Sequence, residues 1–481
     1  MNPADFLSIL PLMVLVGWAC LLLLVDVFFI RGREGWTPAL AAVGLTAVLV
    51  INALQFGEEY HTFNGMVAVD GFAHFLGILF AGSGLIAVAL AYRYLVRMGI
   101  NRGEYYPLLL FSISGMSLMA VAADLIVVFL ALELLSIPLY ILSGFARPDA
   151  DSEEAAMKYF LLGAFAGGFV VYGVALAYGA TATTSLEGIV AALSAGTADV
   201  RLLLIGAGLI LIGLGFKVAV VPFHMWTPDV YQGAPSPVTA FMAVGAKAAG
   251  FAALLRVYLA ALPELGSELR PVIWILAALT MGLGNIVAIA QANIKRMLAY
   301  SSIAHAGYIL MALTVVGQTE ITGDAVAASL FYLLAYALTN LGAWAVVIAL
   351  EQKEGRGLAL DDYRGMGQKY PALAAAMAVF MLSFIGVPPT LGFVGKFYLF
   401  RTVLQGGFVW LAVIGVATSL ISAYYYLRVV VNMYMHEGEP EAVPDRWLQL
   451  VSAGSALAVV ALSVFSVPLF RWVSRAVLRV F

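Results

Sequence analysis

Glu133, Lys158, Lys217, Lys247 and Lys396 interrupt stretches that are otherwise apolar, and Lys217, Lys247 and Lys396 fall near the middle of segments long enough to cross a bilayer. A lysine at mid-depth costs at least ~2.5–3.5 kcal/mol on insertion scales, so a chain that keeps three of them is expected to use them. Such a series offers a stepwise route for protons or cations.

Glu133 lies in Leu130-Ala131-Leu132-Glu133-Leu134-Leu135, about nine residues into its segment and ~14 Å deep. Nothing polar adjoins it in sequence. Lys217, in Gly215-Phe216-Lys217-Val218-Ala219, sits at similar depth and is its natural partner. At ~7 Å and an effective dielectric of ~20 the two interact by roughly 2.4 kcal/mol, enough to hold the ammonium while they are close and to release its proton when they part. A static buried pair is the alternative. Lys247 stands among small residues, Ala243-Val244-Gly245-Ala246 before it and Ala248-Ala249-Gly250 after it, which leave room for water. Lys396 follows Gly392-Phe393-Val394-Gly395. Snorkelling to an interface is the plain alternative for both. His305 falls one turn beyond Ser301 on the same helix face, and His224 is flanked by Pro222 and Pro228; each is a candidate relay or an ordinary core histidine. Lys158, at the start of its span, is four residues from Glu154, a surface pairing worth only ~0.2–0.5 kcal/mol, so function and structure are equally open there. Lys295, beside Arg296, serves equally as a relay or as a topology signal. Asp124 and Asp229, near helix ends, either line openings or act as solvated caps.

The elements that must position these residues are set by composition. With 63% hydrophobic and 11% charged residues and a mean hydropathy of +0.98, the 481 residues have too little polar surface to cover a soluble globule. The first apolar run, 6–30, exceeds a signal-peptide core and is expected to remain as a span. A net charge of −3 with scattered basic residues excludes nucleic acid as a partner. Cys20 is alone, the five histidines lack metal or haem spacing, and no dinucleotide fingerprint or P-loop is present. No cofactor is expected on this chain.

Runs of about 20 apolar residues fall near 6–30, 36–56, 72–95, 105–122, 125–146, 155–179, 201–231, 237–260, 271–290, 297–316, 325–350, 371–405, 408–434 and 448–470. The sequence therefore predicts an all-α integral membrane protein with about 14 transmembrane helices. Fifteen of the 25 Lys and Arg residues fall on one set of turns, seven on the other and three in mid-span, which places both termini outside by the positive-inside rule. The three C-terminal arginines pull mildly the other way.

Two segments are interrupted, one by Pro222 and Pro228, the other by Pro388-Pro389 with Gly386 and Gly392 around them. Proline removes a backbone donor and clashes with the preceding turn, so each segment is expected to be a pair of half-helices lining a pathway; a simple kink is the alternative. Spans four to eight and nine to thirteen each hold five helices with the fourth broken. Tandem copies of an odd number of helices cross in opposite senses, which is an inverted repeat. The expected organisation is a three-helix segment at 1–104, five-helix repeats at 105–262 and 263–436, and a last helix at 437–481.

Gly215-Phe216-Lys217 running into Pro222-Phe223-His224-Met225-Trp226-Thr227-Pro228-Asp229 and Tyr231-Gln232-Gly233-Ala234-Pro235-Ser236-Pro237, with Lys247 ten residues on, resembles the antiporter-like membrane subunits of respiratory complex I. Lys295-Arg296-Met297-Leu298-Ala299-Tyr300-Ser301-Ser302 through His305 and Gly307-Tyr308 is the next signature, and the resemblance covers at least residues 105–435. Within the family the chain is similar to the branch with lysine rather than glutamate on the twelfth helix and without a long lateral helix after span fourteen. The resemblance implies a proton channel inside a redox complex of the cell's inner (plasma) membrane. In it Glu133 and Lys217 form a switchable pair, Lys247 connects, Lys396 faces the opposite exit, Lys158 modulates the first unit, and His224 and His305 relay. NADH, FMN, iron–sulfur clusters and quinone are then expected on partner subunits, among them antiporter-like paralogues. A subunit of a multisubunit cation/proton antiporter, or a spacer whose channel is inactive, is the alternative; the complete lysine series argues against the spacer.

Overall fold

Short polar side chains set where the long helices begin. The computed structural model describes residues 3–30, 35–443, 445–476 and 478; Arg31, Arg33 and Arg479, used in the charge count, lie outside them. Helices α1 (Leu10–Val25), α2 (Trp36–Leu54) and α3 (Gly71–Met98) form the N-terminal segment, with a hairpin of β1 (Tyr60–Thr62) and β2 (Val67–Val69) between the last two. Then come α4 (Tyr105–Val121), α5 (Leu125–Ser143), α6 (Ala150–Thr181), α7 (Val200–Val218), α8 (Trp226–Gly233) and α9 (Ser236–Ala261). They are followed by α10 (Gly266–Ile289), α11 (Ile294–Leu310), α12 (Thr319–Leu350), α13 (Pro371–Ile385), α14 (Leu391–Gln405), α15 (Val409–Met435) and α16 (Arg446–Val464). Asp70, Asp124, Asp149, Asp199, Asn293, Thr390 and Asp445 each accept a backbone N–H from the first turn that follows, satisfying donors that would otherwise be orphaned. Asp124 is thus a helix cap, and a buried one, its second oxygen accepting from Thr184 at 2.8 Å.

Twelve helices among the described residues are long and apolar enough to cross a membrane, and Tyr105–Val121 and Pro371–Ile385 are shorter apolar helices. Each apolar run read from the sequence contains helix, although the runs at 201–231 and 371–405 are interrupted, and the helices long enough to cross number twelve rather than fourteen among the described residues. Both interruptions are non-helical backbone. The first helix stops at Val218 and resumes at Trp226; the second stops at Ile385 and resumes at Leu391. Each first half ends on a left-handed residue, Ala219 at φ +64° and Gly386 at φ +87°, and the next N–H turns back to a helix carbonyl, Val220 to Gly215 and Val387 to Leu382.

Packing runs in two rings. In the first, α4, α5, α6 and α7 pack in succession and α9 returns against both α7 and α4; in the second, α10, α11, α12 and α13–α14 are closed by α15 against α10. The helices α9, α11 and α12 lie at the centre, almost wholly buried, whereas α1 and α16 bury only a minority of their residues, at the rim.

Candidate functional site

Lys217 occupies the last turn of α7 and is 3% exposed. Its Nζ donates to Ser136 Oγ of α5 at 2.7 Å and to Tyr159 OH of α6 at 2.9 Å, and it lies 5.1 Å from the centre of the Tyr159 ring. The half-helix beyond the break locks that tyrosine. Trp226 stacks on it at 4.5 Å and 9°, and the indole N–H donates to Phe216 O at 2.9 Å. Glu133 stands one turn before Ser136, half-buried between the exposed Leu130 and Ile137 on the lateral face of α5. Its carboxylate rests over Gly167 of α6, where an added Cβ would come within 2.7 Å of Oε1. Among the described residues Glu133 makes no hydrogen bond and no ion pair closer than 4 Å, and its nearest link to Lys217 is Ser136, one turn away on α5, to which that lysine donates.

Lys247 follows a π-helical turn at Met242–Ala246, a local widening that is often found at functional positions. Its ammonium donates to both the main-chain oxygen and the hydroxyl of Ser302 on α11. One residue back, Ser301 Oγ meets Tyr426 OH at 2.5 Å, and Tyr426 OH meets His305 Nε2 at 3.0 Å. The other ring nitrogen, Nδ1, meets Tyr332 OH at 2.6 Å. His305 is therefore hydrogen-bonded through both ring nitrogens to tyrosine hydroxyls. Lys396, on the first turns of α14, donates to Phe384 O at 2.9 Å, Ile385 O at 3.0 Å and Ser419 Oγ at 2.7 Å, with the Tyr308 ring 4.6 Å away. These carbonyls are the free C-terminal ends of α13, the negative pole of a half-helix.

The remaining sequence candidates stand apart from this line. Lys158 lies nine residues into α6 because that helix starts at Ala150. It pairs with Glu154 at 2.7 Å and Asp229 at 2.6 Å, and Asp229 also binds Arg296 at 2.8 Å, a partly exposed cluster joining α6, α8 and α11. His224 sits in the first break with its Nδ1 buried and unpartnered. Lys295 is 3% exposed and donates to Ala234 O at 2.8 Å, so it is no solvated turn residue. Among the described residues no group of three or more His, Cys, Asp or Glu is arranged to hold a metal. Sequence reasoning missed Ser136, Tyr159, Tyr332, Tyr426 and Ser419. Only Ser136 carried a signal, being three residues after Glu133 on one helix face.

Broken helices carrying buried lysines inside two helical rings define a multi-pass membrane subunit of antiporter-like build. A family model described as "NADH:quinone oxidoreductase/Mrp antiporter, TM" matches residues 122–422, and the chain belongs to that family. It is 49% identical over 480 residues to NADH-quinone oxidoreductase subunit N of Chloroflexus aggregans, covering 98% of this chain and 97% of the relative. It superposes on a chain of respiratory complex I from Thermus thermophilus with TM-score 0.82 and 36% identity, covering 96% and 98% of the two chains. A chain of the Mrp complex from Dietzia superposes with TM-score 0.86 over 99% and 97% of the two chains, but at 21% identity, which is a likeness of fold alone.

Proposed function

We propose that this chain is a proton-translocating membrane subunit of an NADH–quinone oxidoreductase, working as the subunit N relatives are named to work. The observation that carries the reading is the line of buried lysines, each seated on hydroxyls or carbonyls, with His305 bridged between two tyrosines. In a low-dielectric interior such groups have no structural advantage over apolar ones, so their retention supports a role in carrying charge.

In this reading the rings are two five-helix repeats, 105–262 and 263–436, flanked by segments 1–104 and 437–481 and related by inversion. Glu133 approaches or leaves Lys217, whose proton passes towards Lys247, the Ser301–Tyr426–His305–Tyr332 chain and Lys396. Lys158 acts through the Asp229–Arg296 cluster, where its charge biases the first unit from the membrane edge. Lys295 and His224 serve at the mouth of the pathway. NADH, FMN, iron–sulfur clusters and quinone belong to partner subunits, and redox energy arrives from them. Moving one charge against 100 mV costs ~2.3 kcal/mol. Both termini face outwards across the inner membrane and residues 351–370 face the cytoplasm; a cysteine in that loop that reacts only from outside would reverse the orientation.

The test is proton pumping measured beside NADH oxidation in liposomes containing the assembled complex. Glu133→Gln and Lys217→Ala should each depress pumping, and the double variant should be no worse than the more damaging single one, because both remove one switch. Normal pumping in Glu133→Gln would reduce the pair to a structural role.

A further inference from the structure

Where α12 ends, at the face bearing residues 351–370, four parts of the chain converge on one carboxylate. Glu351, 6% exposed, caps the C-terminus of α12. Its Oε1 accepts from Tyr94 OH of α3 at 3.2 Å and lies 4.0 Å from Lys295 Nζ of α11. Tyr94 OH also accepts the backbone N–H of Ser236 at 3.4 Å, and Arg97, beyond Tyr94 on α3, donates to Ile348 O at 2.7 Å. The other oxygen, Oε2, is buried and has no hydrogen-bond partner.

That oxygen is the first of a row. Trp344 Nε1, Asn340 Nδ2 and Tyr336 OH are also buried and unpartnered, and their side chains are no more than 3% exposed. At ~100° per residue, positions 336, 340, 344 and 351 fall within roughly 80° of one another around α12. They form a single stripe. The stripe starts at Glu351 and ends at Tyr336, whose ring lies 5.9 Å from Lys247 Nζ and 5.2 Å from that of His305. Native proteins leave few buried polar groups unpaired, and those they leave are commonly satisfied by internal water. A static ion pair would close to contact and fill both carboxylate oxygens. Here the nearest cation stands 4.0 Å away and one oxygen is open. Lys295 is also in the first turn of its helix, where the dipole disfavours a cation.

We infer that Glu351 is a proton-uptake residue, and that the inward stripe of α12 holds a water file leading from it through Trp344, Asn340 and Tyr336 to Lys247. The inference rests on the reading of this chain as a proton-translocating subunit. Only proton transfers are involved: hydronium at that face gives its proton to the free oxygen of Glu351 and is left as water, and the carboxyl proton then passes to the first water of the file, restoring the carboxylate for the next one.

Asn340→Leu separates the water file from a packing role. Replacing an unpartnered buried amide by an apolar side chain of similar size is neutral or stabilising if the residue only packs. If it holds water, the substitution closes the file. The expected result, in the assembled complex in liposomes, is unchanged or raised thermal stability with pumping lowered about 100-fold or more, the lower end of the scale of losing a placed proton-transfer group. Glu351→Gln should fall comparably and Glu351→Asp should recover much of the loss. Lys217→Ala is run in parallel. If it fails to pump while Asn340→Leu and Glu351→Gln pump normally, the uptake route is overturned and the wider reading stands. If all three pump normally, the wider reading is overturned and the route falls with it. Should Glu351→Gln not assemble, Asn340→Leu and Glu351→Asp decide the matter.

Discussion

Lys217 precedes its break and donates to two hydroxyls, whereas Lys396 follows its break and donates to two main-chain carbonyls and one hydroxyl. A carbonyl only accepts, so the second site is complementary to an ammonium. A hydroxyl accepts or donates, so the first site serves the amine in either protonation state. Neither lysine has a carboxylate within 4 Å among the described residues, but the first rests on Ser136, one turn from Glu133 on the same helix. Two breaks of similar build therefore differ in their seats: the first lysine rests on hydroxyls that suit either protonation state, and the second on carbonyls that favour the ammonium, so in the proposed relay the second gives up its proton less readily.

Lys217→Ala tests that contrast most severely. It should cut pumping at least ~10-fold, since each 1.4 kcal/mol is a decade and the estimated pair energy exceeds that. Equal and complete loss from Lys217→Arg, which keeps a charge but cannot become neutral, would sharpen the contrast; normal pumping would break it. Gly167→Ala comes next. Its Cβ would meet Glu133 Oε1 at 2.7 Å and push the carboxylate off its seat, so pumping should drop several-fold with assembly intact. A smaller effect is expected from Gly386→Ala, which forces a side chain into φ +87° with Lys396 Cδ 3.0 Å away, at a cost of ~1–2 kcal/mol in thermal stability. The smallest belongs to Ala219→Gly. Relief of the left-handed strain there is offset by the freer unfolded chain, leaving a change within ~0.5 kcal/mol by the same measurement.

Much of this contrast was legible in the sequence for a physical reason. Proline and glycine mark interruptions locally, and a lysine in an apolar run declares its own cost, so Lys217, Lys247, Lys396 and both breaks could be read without knowing any contact. The partners could not. Ser136, Tyr159 and Tyr426 are ordinary residues until folding brings α5, α6 and α15 against the lysine-bearing helices, and Glu351 looks like a loop residue until α3 covers it. Lys295 was ambiguous because a charge beside a turn looks the same whether solvated or buried. The hairpin at 60–69 was overlooked despite Asn64-Gly65, a pair suited to the positive φ both adopt.

The chain from Ser301 through Tyr426 and His305 to Tyr332 has a direction as well as a path. A neutral imidazole donates from one nitrogen and accepts at the other, and each hydroxyl passes on one hydrogen while taking another. Once a proton has run through, every one of these bonds points the opposite way. A second proton cannot follow in the same sense until the hydroxyls rotate and the ring exchanges its tautomer. In the proposed relay the row of aromatic hydroxyls is thus a wire with a memory of its last use, and each cycle would have to include the time to erase it.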